Sequence, residues 1–390
     1  MKTIKDVEVK GKRILLRVDF NMPQNKEGAI TDDTKMVAAL PTINYLLDKG
    51  AKVIIMSHLG RPKGQPNPKF SLGPMAEYLS KLLGQTVPLA PGCVEPEVEA
   101  MAQQMKDGDA ILLENVRYYK EEEKNDPDFA KQLARLGDIF VNDAFGTAHR
   151  AHVSTAGLAA YLPTYSGFLM AREVEMLGDV VNRKQSPRLA ILGGAKVVDK
   201  LGLISNMLEK MDVILIGGGM ANTFIAAKGY AIGKSICETE LFNEANRLLQ
   251  KAKDINKKLL LPIDVLVAKE LSDTADTRAV ALDAVGGDDL IGDIGPKTIE
   301  LYTQEIKAAS SIIWNGPVGV FEYAPFSDGT FSLAHAIADA PGISIIGGGD
   351  SAAAVQGLGI NDRITHISTG GGATLEFLEG IDLPGVKVCR

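Results

Sequence analysis

Four segments in the first half of the chain set arginine or histidine among small polar residues. They are Arg17-Val-Asp19-Phe-Asn21, Ser57-His58-Leu-Gly60-Arg61-Pro62, Leu113-Glu114-Asn-Val-Arg117 and Ala144-Phe-Gly146-Thr-Ala-His149-Arg150. Arginine presents a planar fork of donors that suits two-point binding of phosphate or carboxylate. Five segments in the second half are glycine-rich instead: Gly193-Gly194-Ala-Lys196-Val-Val-Asp199-Lys200, Gly217-Gly218-Gly219, Asn315-Gly-Pro-Val-Gly-Val-Phe-Glu322, Gly347-Gly348-Gly349-Asp350 and Thr369-Gly370-Gly371-Gly372. Loops of this kind let a backbone approach a nucleotide closely. Two anionic ligands, one per half, with a group passed between them, is the economical reading.

Each segment has a purely structural alternative. Arg61, Arg117 and Arg150 sit at or just beyond expected strand ends and together read as an anion patch. Arg17 lies within its strand and keeps a structural reading. Gly193 to Lys196 follows a strand and opens an expected helix, which would turn backbone N–H groups and the positive helix end toward a phosphate. Lys196 and Lys200, four apart, would share a face of that helix and reach one polyphosphate; otherwise this is a tight turn with surface lysines. Gly217 to Gly219 would let a flat purine lie on the backbone. Asp350 is the leading magnesium candidate, because Mg²⁺ takes one or two carboxylates plus phosphate oxygens and waters. Glu322 could accept ribose hydroxyls. Alone, either acid reads equally as a cap or turn residue.

Several patterns argue for less than they suggest. Gly347-Gly-Gly349-Asp-Ser-Ala352 fits the relaxed dinucleotide pattern, but no acidic residue closes a second strand at the expected distance. Gly229-Tyr-Ala-Ile-Gly233-Lys234-Ser235 resembles a phosphate loop, yet is one residue short and follows a helix rather than a strand. His149 and His152 lack a third metal ligand, and Arg150 between them would repel a cation. Glu121-Glu-Glu123-Lys124 reads as a solvated face or a helix start. No nucleophile-elbow context appears, so covalent catalysis is not indicated.

The elements that must position these residues follow a β-α-β rhythm. Expected strands are Arg13 to Phe20, Lys52 to Ser57, Ala110 to Glu114 and Ile139 to Asp143, then Arg188 to Leu192, Asp212 to Ile216, Lys258 to Leu261, Ser311 to Trp314, Gly342 to Ile346 and Ile364 to Ile367. Expected helices include Thr34 to Asp48, with Pro41 kinking it, and Leu72 to Leu83. The fold class is α/β, with functional loops at the carboxyl ends of strands. At 390 residues the chain exceeds one core and reads as two domains. The boundary falls between Tyr165 and Ser186, where a helix from Phe168 to Val181 would act as hinge.

A net charge of −7 leaves no basic stripe for nucleic acid. Three widely spaced cysteines make a disulfide framework unexpected and favour a reducing compartment. No apolar run approaches about 18 residues. A cytoplasmic protein without a membrane partner is expected.

Taken together, Arg17 to Asn21, Ser57 to Pro62, Asn142 to Arg150, Trp314-Asn-Gly-Pro317 and Gly347 to Ser351 resemble the phosphoglycerate kinase family, and the likeness runs to Ser368-Thr-Gly-Gly-Gly-Ala373. The resemblance implies two Rossmann-like, doubly wound parallel-sheet domains facing across a hinge cleft. It assigns residues 1–168 to a phosphoglycerate domain, 169–185 to the hinge helix and 186–373 to a nucleotide domain, with the tail 374–390 returning to the first. The implied reaction is magnesium-dependent transfer between 1,3-bisphosphoglycerate and ADP, giving 3-phosphoglycerate and ATP, in a monomer.

By the family pattern Asp19, Asn21, Lys35, His58, Arg61, Arg117 and Arg150 bind the glycerate ligand. Lys196, Lys200, Gly217, Gly218, Asn315, Glu322, Gly348, Gly349, Asp350, Ser351, Gly371 and Gly372 bind the nucleotide, with Asp350 on the metal. Lys35 and Lys200 would serve catalysis. One position departs: Ile30-Thr-Asp-Asp-Thr34-Lys35 carries lysine where the family has arginine, keeping the charge and losing the fork. A nicotinamide-dependent dehydrogenase and an idle, ligand-binding relative are the rival classes.

Overall fold

A computed structural model describes residues 1–390. The chain forms two compact units: Met1–Glu175 together with Asp382–Arg390, and Met176–Ile381. Both are α/β.

In the first unit five parallel strands, β1 (Arg13–Arg17), β2 (Lys52–Met56), β3 (Ala110–Leu112), β4 (Ile139–Asn142) and β5 (Thr164–Ser166), lie in the order β3-β2-β1-β4-β5. Their sequences are nearly unbroken apolar runs, as burial on both faces demands. The period of two sorts them. Ile14, Leu16, Val53 and Ile55 pack with Met36, Ile43 and Leu46 of the helix Thr34–Asp48 on one face. Leu15, Ile54 and Phe140 pack with Val98 of Pro96–Gln104 and Leu133 of Pro127–Ala134 on the other. Helix Thr34–Asp48 continues through Pro41; proline's missing N–H removes the bond that the Val37 carbonyl would otherwise accept.

Both chain ends are tied into this unit. Lys2 N–H donates to the Cys389 carbonyl at 2.8 Å, Ser166 N–H to the Lys2 carbonyl at 2.9 Å, and Gly385 N–H to the Ala148 carbonyl at 2.8 Å.

The second unit holds β6 (Arg188–Leu192), β7 (Val213–Ile216), β8 (Lys258–Leu260), β9 (Asp264–Ala268), β10 (Arg278–Ala281), β11 (Leu290–Ile294), β12 (Ser311–Asn315), β13 (Ile343–Gly347) and β14 (His366–Ile367). Six of them form a parallel sheet ordered β14-β13-β12-β6-β7-β8. Leu189, Ile191, Leu215, Ile312 and Trp314 pack against Tyr302, Ile306 and Leu333. Helix Gly372–Leu378 packs on Leu201–Lys210, and Asn206 Nδ2 donates to the Leu378 carbonyl. In both sheets the connections reverse direction beside the first strand of the unit, between β1 and β4 and between β6 and β12. Doubly wound sheets open a ligand crevice at that point, at the strands' carboxyl ends.

Most expected strands are present within a few residues of their predicted ends. Sequence reading extended β1, β2 and β3 into the following loops, because Val18, Phe20 and Leu113 are as buried as the strands. It missed β5 and the antiparallel sheet β10-β9-β11 altogether. No helix is long and apolar enough to cross a membrane.

Candidate active site

In the first unit all four polar segments begin where a strand stops. Asp19 and Asn21 follow β1, His58 and Arg61 follow β2, Arg117 follows β3 and Arg150 follows β4. Asp19 turns its carboxylate two ways: Oδ1 accepts from Asn21 N–H at 3.0 Å, and Oδ2 accepts from Lys35 Nζ at 2.8 Å. Lys35 Nζ also donates to the Asn21 carbonyl at 3.2 Å. Lys35 stands in the first turn of Thr34–Asp48, so this helix delivers its cation to the β1 loop. Burial alone would raise the Asp19 carboxyl; the Lys35 and Arg17 cations overcome it and hold the group below its ordinary value. Asn21 Oδ1 accepts from Gly60 N–H at 2.9 Å, joining the β1 and β2 loops.

The arginines fall into two sorts. Arg61 and Arg150 are exposed, and no hydrogen bond or ion pair engages their guanidinium groups. Arg117 is half-buried: one terminal nitrogen donates to the Gly60 carbonyl at 3.0 Å, and Nε makes no hydrogen bond, with Glu123 3.5 Å away. Burial and neighbouring arginines keep imidazoles here neutral. His58 is pushed well below 6.5 by burial, with Arg17, Arg117 and Lys35 adding to the shift. His152 is lowered to about 4, by burial and then by Arg117, Arg17 and Arg150. Neutral rings among cations offer neutral hydrogen bonding without further repulsion.

Glu122 is the exception in its acidic run, whose Glu121, Glu123 and Lys124 do form an exposed face. The short helix Lys120–Glu123 does start there, but the Glu122 side chain is fully buried. It accepts from Ser154 Oγ at 2.5 Å and from Ser154 N–H at 3.0 Å. Nothing in a run of three glutamates distinguishes the middle one.

In the second unit the glycine clusters have a steric cause. Loops after β6, β7 and β12 interlock by backbone hydrogen bonds: Gly194 N–H to the Pro317 carbonyl, Gly218 N–H to the Val318 carbonyl and Met220 N–H to the Gly194 carbonyl, each at 2.9 Å. A Cβ on Gly193 would lie 2.0 Å from the Pro317 carbonyl oxygen, and one on Gly217 2.5 Å from a Val318 methyl. Gly218 caps helix Gly219–Ala227 and Gly348 caps Gly349–Gly357, at φ 66° and 92°, and neither helix has a side-chain cap. Met220 N–H is taken by the Gly194 carbonyl, so it is the second helix, Gly349–Gly357, that keeps its first-turn N–H groups open to an anion. Gly371 and Gly372 begin the next such helix, Gly372–Leu378, after β14.

The lysines depart from the expected arrangement. No α-helix links Lys196 to Lys200: a 3₁₀ turn spans Val198–Lys200 and the α-helix starts at Leu201. Lys196 is exposed, whereas Lys200 is buried and donates from Nζ to Oδ1 of Asn315 at 2.5 Å and to its carbonyl at 3.0 Å. Burial lowers the Lys200 ammonium to about 8, although Asp350 and Asp199 oppose the shift. Ser351 is buried and accepts from Gly316 N–H at 2.8 Å. Lys200, Asn315 and Ser351 thus form one polar cluster at the ends of β6, β12 and β13.

Beside it is a mainly apolar cavity of about 220 Å³ that includes Gly218, Glu322 and Asp350 in its lining. Pro317-Val318, from the expected Asn315 to Glu322 loop, also lines it, whereas the remaining walls were not anticipated: Val265 from β9, Leu290 to Asp293 from β11, Asn222 and Ile236. The apolar runs of β9 and β11 were the available signal. Glu322 is exposed, as is Asp350, whose carboxylate makes no hydrogen bond. No group of three His, Cys, Asp or Glu residues is placed to hold a metal ion.

The family model described as phosphoglycerate kinase matches residues 4–381. The chain is 55% identical over 388 residues to a phosphoglycerate kinase of Dictyoglomus turgidum, covering 99% of this chain and 98% of that protein. It is 51% identical over 386 residues to one of Pelotomaculum thermopropionicum, with coverage of 99% and 98%. Among solved structures it is similar to phosphoglycerate kinase from Coxiella burnetii, at 44% identity, a TM-score of 0.92 and coverage of 99% and 98%. The enzyme from Pyrococcus horikoshii superposes with a TM-score of 0.83 at 36% identity, covering 100% and 98%.

Proposed function

The chain belongs to the phosphoglycerate kinase family, and from that membership we propose that it moves a phosphoryl group reversibly between 1,3-bisphosphoglycerate and ADP, yielding 3-phosphoglycerate and ATP. The observation that carries this reading is the pairing of two unlike anion sites. One is a basic rim at the strand ends of the first unit, where Arg61 and Arg150 are exposed and unengaged beside half-buried Arg117. The other is a glycine-lined cavity beside the open N-terminus of helix Gly349–Gly357.

In the first unit, Arg61, Arg117 and Arg150 take the phosphate and carboxylate of the glycerate, Asp19 and Asn21 its hydroxyl end, and His58 an anionic oxygen. In the second, the cavity takes the base, Glu322 the ribose, and the amides at Gly348, Gly349 and Ser351, with Lys196 and Lys200, the phosphates. The acyl phosphate needs no enzyme nucleophile, because it is itself activated. Positioning and neutralisation of charge on the transferring oxygens account for the acceleration. Lys200 leaves Asn315 to meet that group, and Lys35 approaches it from the glycerate side. Closure about helix Phe168–Asn182, driven by differential binding of the two ligands, brings the reactants into line.

A magnesium ion fits as a companion of the nucleotide rather than as a resident. The exposed, unbonded carboxylate of Asp350 at the cavity suits a cation that keeps its waters and phosphate oxygens. When bound, the ion neutralises charge on the nucleotide phosphates. The protein acts as a cytoplasmic monomer.

Calorimetric titration of each ligand tests the division between the sites. Arg150→Ala should weaken 3-phosphoglycerate by about tenfold and leave magnesium ADP unchanged; Glu322→Ala should do the reverse. A variant that weakened both ligands equally would contradict the assignment.

A further inference from the structure

Arg17 is almost entirely buried, at 1% exposure, yet its guanidinium is aimed at a residue of the substrate face. One terminal nitrogen lies 3.2 Å from His58 Nδ1. The other donates to the Val18 carbonyl, and Nε donates to Ser154 Oγ at 2.8 Å. Ser154 donates its single hydroxyl hydrogen bond to buried Glu122.

The directions of these bonds are dictated by chemistry. A guanidinium has five N–H donors and no acceptor, and is not deprotonated in proteins. Ser154 must therefore accept from Arg17 and donate to Glu122. By the same rule His58 Nδ1 must be the acceptor and cannot carry a proton. The ring is then neutral, with its proton on Nε2. That nitrogen makes no hydrogen bond to the protein.

We infer that Arg17, braced by Ser154 and Glu122, is a positioning residue that fixes His58 as the Nε2–H tautomer, so that the ring offers a donor to an anionic substrate oxygen. The inference rests on reading this face as the glycerate site. Arg17 itself touches no ligand in this scheme. Its charge acts from behind the ring, alongside Asp19, Lys35 and Arg117, the other charged groups that bear on His58. A lone imidazole in water would favour neither tautomer strongly and would titrate near 6.5. Here the donor-only neighbour removes both freedoms.

Two-bond ¹⁵N–¹H correlation spectra of the full-length protein report which ring nitrogen bears the proton. The expected result is an Nε2–H ring throughout about pH 5 to 8. A proton on Nδ1, or a ring that titrates normally, would overturn the inference without any variant being made. In Arg17→Met the ring should become a tautomer mixture, with the KM for 3-phosphoglycerate rising about tenfold and that for ATP unchanged. Should Arg17→Met fail to fold, Ser154→Ala loosens the brace and should move the same two readouts in the same direction, by less. Arg17→Lys, a donor-only cation, should restore the tautomer in part. Parent protein that turns over both substrates while showing Nδ1–H would refute this inference alone. Parent protein with the expected tautomer and no turnover would count against the proposed reaction instead.

Discussion

Lys35 Nζ sits 2.8 Å from Asp19 Oδ2, a pairing in which the only cation on helix Thr34–Asp48 is held by an acid of the β1 loop. A lysine so engaged has one charge and must divide it between Asp19 and a substrate. Arginine at the same place could keep Asp19 on one edge of its fork and offer the other to the ligand. Lys35→Arg should therefore raise kcat/KM for the glycerate substrate by about fivefold, a gain of ~1 kcal/mol. Steady-state kinetics in both directions decide it, and a variant no faster than the parent in either would sink the idea.

Lys200 links activity to alkaline pH. Its ammonium is lowered to about 8 in the free enzyme, chiefly by burial, so raising the pH through that value removes the positive charge on which the proposed phosphoryl transfer draws. The rate at low nucleotide concentration should fall above about pH 8. Lys200→Arg, which stays charged, should lose that alkaline limb while retaining some turnover. Lys200→Ala should cost about 10³-fold in kcat, by comparison with other cations that stabilise phosphoryl transfer.

Gly218 joins the three interlocked loops. Its φ is 66°, and a Cβ would lie 2.7 Å from the Gly194 carbonyl oxygen and 2.8 Å from that of Pro317. Gly218→Ala should destabilise the protein by roughly 2 to 4 kcal/mol, through backbone strain and overpacking, and weaken ADP more than 3-phosphoglycerate. Urea denaturation with paired titrations measures both effects; equal weakening of the two ligands would contradict the local account.

Asp143 makes stability depend on pH. Burial raises its carboxyl to about 7 in the folded protein, from an ordinary 3.8, against the hydrogen bonds it accepts, among them Met170 N–H at 3.1 Å on Oδ1. The folded state holds this proton more tightly than the unfolded chain. The associated stability is fully present below 3.8 and is lost as pH rises through about 7. Asp143→Asn, permanently neutral and still able to accept from Met170, should gain stability over the parent at pH 8 and lose that advantage near pH 4. Denaturation curves at the two values that gave the same difference would refute it.

How far such features could be read from sequence depends on their range. Both parallel sheets were legible, because apolar runs such as Leu189 to Leu192 and Ile312 to Trp314 are bounded by glycine or polar residues at each turn. The glycine clusters were legible as loops, but their mutual locking was not, since Gly218 meets Gly194 and Pro317 only in three dimensions. Lys196 and Lys200 were placed on one helical face by spacing alone; the 3₁₀ turn at Val198–Lys200 separates them, leaving one exposed and one buried. Arg17 and Glu122 were the least legible. Each looks ordinary in sequence, and their significance comes from Ser154, 137 residues from the first and 32 from the second. Cavity walls from β9 and β11 were missed because the reading followed glycine and charge rather than plain apolar strands.

The central claim is that one chain joins a glycerate-phosphate site to a nucleotide site and passes a phosphoryl group between their ligands. Its most direct test is the rate with magnesium ATP and 3-phosphoglycerate, coupled through glyceraldehyde-3-phosphate dehydrogenase to loss of NADH. The account predicts a rate that saturates in each substrate and vanishes when either is omitted. Folded protein that binds both ligands and gives no rate above background would contradict it.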